Sequence, residues 1–353
     1  MHGTGASEGW AIPAIETVGD LAKWMKVSAS ELEWFADLRR LCARAGDKSG
    51  DSLISHYHYR ILAKHNGKIR LIESPKTKLK RLQRKILDEI LNKIPMHDAV
   101  HGFCRGRSIC TFAEPHAGRG VVLRIDLQDF FPSISGARVQ AFFRTAGYPE
   151  AVADRLGAIS TNAAPRRLWR QSGLESDPAM MVEASGLYAW RHLPQGAPSS
   201  PTLANLCFYR GDCRLSGLAK SAGATYTRYA DDLAFSGDDD FGRSVDRFAA
   251  RVAAIVMEEG FRVHHRKTRV MRQGVRQHLA GVVINKHVNV IRADFDRLKA
   301  TLTNCARQGP ETQNREGHAT FRAHLEGRVS FVEMINPAKG ARLRRVFEQI
   351  KWG

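Results

Sequence analysis

Two adjacent aspartates inside a run of strand-forming residues constrain this chain more than any other feature. From Thr225 to Gly237 it reads Thr-Tyr-Thr-Arg-Tyr-Ala-Asp-Asp-Leu-Ala-Phe-Ser-Gly. Both ends are rich in the β-branched and aromatic residues that suit a pleated surface. Asp231 and Asp232 in the middle favour a tight turn and are avoided by central strands. The stretch therefore predicts a short β-hairpin with two carboxylates at its tip. Adjacent like charges repel unless a cation neutralises them, and hard carboxylate oxygens suit magnesium. An isolated Asp-Asp pair is more often a solvated surface turn; a second acidic element upstream argues against that here.

That element is Val121-Val122-Leu123-Arg124-Ile125-Asp126, continuing through Leu127-Gln128-Asp129-Phe130-Phe131. Mainly apolar β-formers run straight into Asp126, which predicts a buried strand with a carboxylate at its end. A strand-end aspartate beside an Asp-tipped hairpin is an economical way to hold two divalent ions about 3.5–4 Å apart for phosphoryl chemistry. Between the two lies Leu193-Pro194-Gln195-Gly196-Ala197-Pro198-Ser199-Ser200-Pro201, leading into the helix-compatible Thr202–Leu206. Gly196 would let backbone approach a ligand closely.

These three pieces, in this order, resemble the reverse transcriptases, with wording most similar to the bacterial retron type, over nearly the whole chain from about Tyr57 onward. The resemblance implies an α+β, right-hand polymerase architecture. It divides the chain into an N-terminal helical module (1–46), fingers (47–120), a palm (121–290, with a connection over 136–192 partly in the fingers) and a helical thumb (291–353). It implies RNA-directed DNA synthesis with two Mg²⁺ ions bridged by Asp126 and Asp231, with Asp232 as a third carboxylate. Lys267 ends a stretch similar to the family box whose lysine lies near the leaving pyrophosphate. It either protonates or electrostatically stabilises that group, or is an exposed strand-end lysine. Phe131 matches the aromatic that walls off the ribose 2′ position, a role compatible with core packing, and Gln195 matches the residue touching the incoming nucleotide. Arg70, with Lys64 and Lys68 as rivals, is the expected contact to the triphosphate.

The charge agrees with a polyanionic partner: 54 Lys and Arg against 36 Asp and Glu leave +18. No run approaches the ~20 apolar residues of a spanning helix, and the N-terminus lacks the apolar core of a signal peptide, so a cytoplasmic location is expected by default. Six cysteines without a Cys-x-x-Cys lack zinc spacing, a disulfide framework is not expected in a cytosolic chain of this size, and most are expected in the core.

Along the chain, Thr17–Cys42 turns helical, with Ser28 and Glu31 spaced as a capping box. Tyr57–Leu62 and Ile69–Ile72 flank Asn66-Gly67 as a hairpin. Residues 76–95 form an amphipathic stripe whose N-terminal half is crowded with Lys78, Lys80, Arg81, Arg84 and Lys85, which suits a template phosphate backbone better than the helix dipole. Arg105 and Arg107 are further candidates for that backbone. Residues 136–147 and 243–259 read as helices, whereas 162–190, with Arg166, Arg167 and Arg170, has no clean period. Residues 278–289 suggest a hairpin turning near Asn285-Lys286. Two helical patterns follow Arg292, the second including Leu325 and Phe331, and Arg342, Arg344 and Arg345 make the end basic. Strands mixed with segregated helices argue α+β rather than a doubly wound sheet.

Family elements implied to handle a structured RNA read Phe112-Ala113-Glu114-Pro115-His116 and Leu279-Ala280-Gly281 here, each departing from the usual pattern. The implied partners are a structured RNA serving as template and primer, its DNA product, dNTPs and an accessory effector protein, in anti-phage defence. The rivals are a defence polymerase with untemplated or protein-primed synthesis, a group II intron-type enzyme and a catalytically silent RNA-binding scaffold. A maturase domain is not expected after the thumb, which argues against the intron-type rival, and the intact aspartates argue against the scaffold.

Overall fold

The computed structural model describes residues 9–39, 55–63, 69–165, 167–170 and 178–352. The expected Asn66-Gly67 turn and the cations Lys64, Lys68 and Arg166 lie outside the described residues. The fold is α+β, with two compact units, neither contiguous in sequence. The first comprises Met1–Cys104, Leu127–Arg214 and Ala253–Val263; the second comprises Arg105–Asp126, Leu215–Val252 and His264–Gly353.

The first unit opens with helices Val18–Met25 and Ala29–Ala36. Each starts with a reciprocal capping box, Thr17 with Asp20 and Ser28 with Glu31. Strands β1 (Tyr57–Ala63) and β2 (Ile69–Pro75) pair antiparallel from Tyr57↔Pro75 to Ala63↔Ile69. The amphipathic stripe expected over 76–95 is a shorter helix, Thr77–Glu89, followed by a 3₁₀ turn over Leu91–Lys93. The tighter turn accompanies burial of the consecutive Ile90 and Leu91. Helix Gly136–Thr145 packs on Glu150–Ser160, which no sequence pattern announced. Gly157 makes that approach possible, because a Cβ there would stand 3.2 Å from the backbone of Gln140. The unreadable stretch 162–190 holds helices Arg167–Arg170 and Pro178–Tyr188. Its Ala164, Trp169, Ala184 and Tyr188 form a small core with Ile69 and Leu71 of β2.

The chain crosses between the units inside β3 (Val121–Gln128), which is buried along nearly its whole length. In the second unit, β3 is flanked on one edge by β5 (Asp232–Gly237), itself paired with β4 (Thr225–Tyr229). In the first unit, the two-residue β6 (Arg262–Val263) pairs with Leu127 and Gln128. Strand β7 (Arg269–Arg272) pairs with Val121–Arg124 in the second unit; all these pairings are antiparallel. Helix Asp239–Glu258 begins slightly earlier than expected. The hairpin expected to turn near Asn285 reverses twice. Strands β8 (His278–Leu279) and β9 (Val282–Val283) turn at Ala280-Gly281, both at positive φ, and a Val283↔Asn289 bridge closes the second reversal.

The two helical patterns after Arg292 are three helices: Arg292–Gln308, Phe321–Ile335 and Pro337–Glu348. Asn336 caps the last by accepting from Lys339 N, and Pro337 takes a first-turn place where its missing N–H costs nothing. Leu325, Val329, Val332 and Ile335 make the buried stripe of the middle helix and join Val122, Ala234 and Met271 of the sheet in one core. Phe331 lies off that stripe and is 42% exposed. Among the described cysteines, only Cys207 and Cys305 are buried; Cys213 is exposed, contrary to the expected core role for most. Among the described residues no helix is long and apolar enough to cross a membrane.

Candidate active site

The expected hairpin turns at Ala230 and Asp231, and Asp232 is the first residue of β5. Ala230 takes a left-handed φ of 55°, which costs an alanine roughly 1–2 kcal/mol. Under the turn lies Arg228, wholly buried, whose Nη1 donates to the Ala230 carbonyl at 3.0 Å. The register sets Asp126 directly opposite Asp232 and Ile125 opposite Leu233. Side chains two apart on a strand share a face, so Arg124 reaches the same side as Asp126. Its guanidinium grips Asp232 with Nε and Nη2 on Oδ1 at 2.9 and 2.7 Å and Nη2 on Oδ2 at 2.9 Å.

Lys267 supplies a second cation. It sits in a 3₁₀ turn, His265–Lys267, rather than at a strand end. That turn is anchored by His264 N donating to the Asp126 carbonyl at 2.7 Å. Lys267 Nζ lies 3.1 and 3.0 Å from the two carboxylate oxygens of Asp126. The lysine side chain is 52% exposed and the aspartate 7%, so one partner is tethered in the interior and the other is free to swing.

Burial is the largest influence on the Asp231 carboxyl, followed by the negative charges of Asp232 and Asp126. Together they push its pKa up to about 6 despite the opposing pull of Lys267. Asp232 is also raised by burial, with Arg124 acting against it. This is a buried carboxylate cluster short of positive charge. Among the described residues no three His, Cys, Asp or Glu side chains are already gathered as metal ligands. Asp126 and Asp232 are turned instead to Lys267 and Arg124. The donor chemistry nevertheless fits a hard divalent cation, with the Lys267 ammonium standing where positive charge is wanted.

His116, retained from the family's RNA-handling element, is wholly buried. Thr227 Oγ1 donates to the Phe112 carbonyl at 2.9 Å, so it accepts from His116 Nε2 at 2.7 Å. The other ring nitrogen, Nδ1, hydrogen-bonds the Ser236 hydroxyl at 2.6 Å. The imidazole thus ties β4 to β5 behind the aspartates. With Phe112, Ala113 and Leu279 also buried, the expectation of RNA contacts around 112–116 and 279–281 narrows to the exposed Glu114, Pro115 and Gly281.

The remaining sequence candidates belong to the first unit. Arg70 is exposed on β2, opposite Leu62. Gln195 and Gly196 form a turn before helix Ser200–Cys207, and the close neighbour of Gly196 is the fold itself. A Cβ there would stand 2.9 Å from the Glu73 carbonyl oxygen, at a φ of +131° that side chains avoid. Glu73 N also donates to the Gln195 carbonyl at 2.8 Å. The Glu73 side chain is wholly buried and accepts from His192 Nε2 and Asn162 Nδ2, both at 2.8 Å. Burial alone would lower the His192 pKa, but the charge and hydrogen bond of Glu73 raise it overall. Phe131 is half-buried, with edge contacts to Phe130 at 5.8 Å and Phe103 at 6.3 Å. Sequence reasoning missed Arg124, Arg228, Glu73 and His192. The alternation on β3 pointed to Arg124; for the other three no local pattern existed.

Residues 62–284 match the family model described as reverse transcriptase (RNA-dependent DNA polymerase). The chain is 39% identical to the Retron Mx65 reverse transcriptase of Myxococcus xanthus, over 95% of its own length and 72% of that protein. It is 38% identical to the Retron Mx162 reverse transcriptase of the same organism, over 92% of its length and 65% of the relative. The Retron Ec86 reverse transcriptase of Escherichia coli is 28% identical, over 94% and 88%. Telomerase from Candida albicans, in complex with a fragment of telomeric RNA, aligns with a TM-score of 0.39 at 12% identity, covering 82% of this chain and 56% of that one, a likeness too weak to bear on the fold. Because the family match takes in both the Asp126 strand and the acidic hairpin, the chain belongs to the reverse transcriptases, RNA-dependent DNA polymerases, and to their retron type.

Proposed function

We propose that this reverse transcriptase copies a dedicated structured RNA into DNA by magnesium-dependent nucleotidyl transfer at Asp126, Asp231 and Asp232. The observation carrying the proposal is the buried carboxylate cluster, with Asp126 opposite Asp232 in register and a lysine on Asp126. Two Mg²⁺ ions, when bound by these carboxylates, would supply Lewis acidity to the primer 3′-hydroxyl and charge compensation to the triphosphate. In the transfer, the 3′-oxygen bonds the α-phosphorus of a dNTP, the bond to pyrophosphate breaks, and the hydroxyl proton passes to solvent. Arg124 holds Asp232 in place throughout. Lys267, half-exposed and hydrogen-bonded to Asp126, is suited to turning toward the departing pyrophosphate. Phe131 walls the 2′ position, Arg70 meets the triphosphate, and Gln195 and Gly196 contact the nucleotide.

The same proposal assigns 1–46 as a helical module, 47–120 as fingers, 121–290 as palm and 291–353 as thumb. It includes a role in anti-phage defence beside an accessory effector protein. A net +18 supports general RNA affinity that weakens steeply with salt, while preference for the dedicated RNA persists. Extension of a primed RNA template with and without Mg²⁺, together with sequencing of RNA recovered with the protein from its host, tests this. Metal-dependent extension and one enriched RNA are expected. Extension that survives chelation, or an unenriched mixture of RNAs, would contradict it.

A further inference from the structure

Phe103 combines two features that rarely occur together. Its backbone φ is 60°, a region that bulky side chains avoid and that its neighbour Gly102 could occupy without strain. The residue is also 49% exposed, so deep burial does not account for the conformation. Strained backbone that persists in this way clusters at functional sites, where surrounding contacts hold it. One such contact is visible: buried Asn205, on the helix after the Gln195-Gly196 turn, donates Nδ2 to the Gly102 carbonyl at 2.9 Å.

The Phe103 ring faces Phe131. The two rings meet edge to face, with centroids 6.3 Å apart and planes at 73°. On its other side Phe131 touches Phe130 at 5.8 Å, also edge to face. Phe130 is fixed by the core rings Phe208 at 5.9 Å and Phe261 at 5.5 Å. Phe131 is thus braced by the core through Phe130 and from the surface by Phe103.

We infer that Phe103 is a positioning residue for sugar selection, bracing the Phe131 ring so that it excludes a ribose 2′-hydroxyl. The inference rests on the reading of Phe131 as the wall beside the 2′ position. A wall that can tilt away loses discrimination even when its own atoms are intact. Discrimination between dNTP and rNTP is therefore the readout that a merely structural role would leave unmoved.

The test compares kcat/KM for a dNTP and the matching rNTP in primer extension by wild type, Phe131→Ala, Phe103→Ala, Phe103→Tyr and the Phe103→Ala/Phe131→Ala double variant. Phe131→Ala should relax sugar discrimination most, and Phe103→Ala by about tenfold, the scale of one aromatic pair. Phe103→Tyr, which keeps the ring, should stay near wild type. The double variant should match Phe131→Ala alone, because the brace acts only through that ring. Should Phe103→Ala lose dNTP incorporation altogether, Phe103→Leu decides by the same ratio. Unchanged discrimination at Phe103 beside a relaxed Phe131→Ala would overturn the inference alone. Unchanged discrimination in Phe131→Ala would overturn the reading of Phe131 and the inference with it.

Discussion

The acidic hairpin and the Gln195-Gly196 turn both depend on buried charge, yet they are assembled in opposite ways. At the hairpin, two of the charges are neighbours in sequence, and their counter-ions come from the same sheet and the turn beside it. Arg124 precedes Asp126 by two residues on β3, and Lys267 follows β6. Under the Gln195 turn, the charge is one glutamate, Glu73, held by Asn162 and His192, respectively 89 and 119 residues away. The first arrangement leaves carboxylates undercompensated and open to a metal. The second gives each carboxylate oxygen a hydrogen-bond partner, and it clamps backbone. A crowd of carboxylates marks a place prepared for a ligand, and a lone hydrogen-bonded carboxylate marks a place prepared to stay still.

Removing a carboxylate should therefore act differently in the two regions. Asp126→Asn should lower DNA synthesis by at least about 10³-fold while the thermal unfolding temperature stays within a few degrees of wild type. Wild-type synthesis by this variant would end the metal-ligand assignment. Glu73→Ala leaves His192 and Asn162 buried without their acceptor. It should cost about 3–5 kcal/mol in denaturant unfolding and raise the dNTP KM more than it lowers kcat. A Glu73→Ala protein of unchanged stability would remove the clamp.

His116 sharpens the contrast because it is a buried, hydrogen-bonded group directly behind the acidic hairpin. Replacing it with alanine strands the Ser236 and Thr227 hydroxyls, at a cost of about 1–3 kcal/mol, with slower synthesis but unchanged affinity for RNA. A selective loss of RNA binding would return His116 to the role that its sequence element suggested.

The smallest expected effect is in pH. The folded-state pKa of Asp231, about 6, exceeds the ordinary value of 3.8. The folded protein therefore holds that proton more tightly, and its stability falls as pH rises from about 4 to about 6 and levels beyond. Asp231→Asn cannot ionise, so it should lack this decline and melt a few degrees above wild type at pH 8. Added Mg²⁺ should raise the melting temperature of wild type and leave the variant nearly unmoved. Identical pH profiles would show that the cluster is not charge-strained.

How much of this was legible in the sequence follows from the same contrast. The hairpin, the Asp126 strand, the Ser28 capping box and the 239–258 helix all have local signatures, because short-range sterics and periodicity decide them. Helix Glu150–Ser160 buries Val152, Ala153, Leu156, Gly157, Ala158, Ile159 and Ser160, leaving little polar face to give it a period. Glu73 and His192 look like any strand glutamate and any loop histidine until the chain brings them together. The three C-terminal helices were read as two because the break at Asn336-Pro337 is a single residue pair. Phe103 was unreadable because no pattern announces a phenylalanine where the backbone favours glycine.

The most direct test of the central claim is to sequence what the enzyme makes. A primer annealed to an RNA template of defined sequence is extended with dNTPs and Mg²⁺ by wild type and by Asp231→Asn, and the products are read base by base. Wild type should yield DNA complementary to the template to its end, and Asp231→Asn should yield none. Products unrelated to the template, or equal extension by both proteins, would contradict RNA-templated synthesis at this carboxylate cluster.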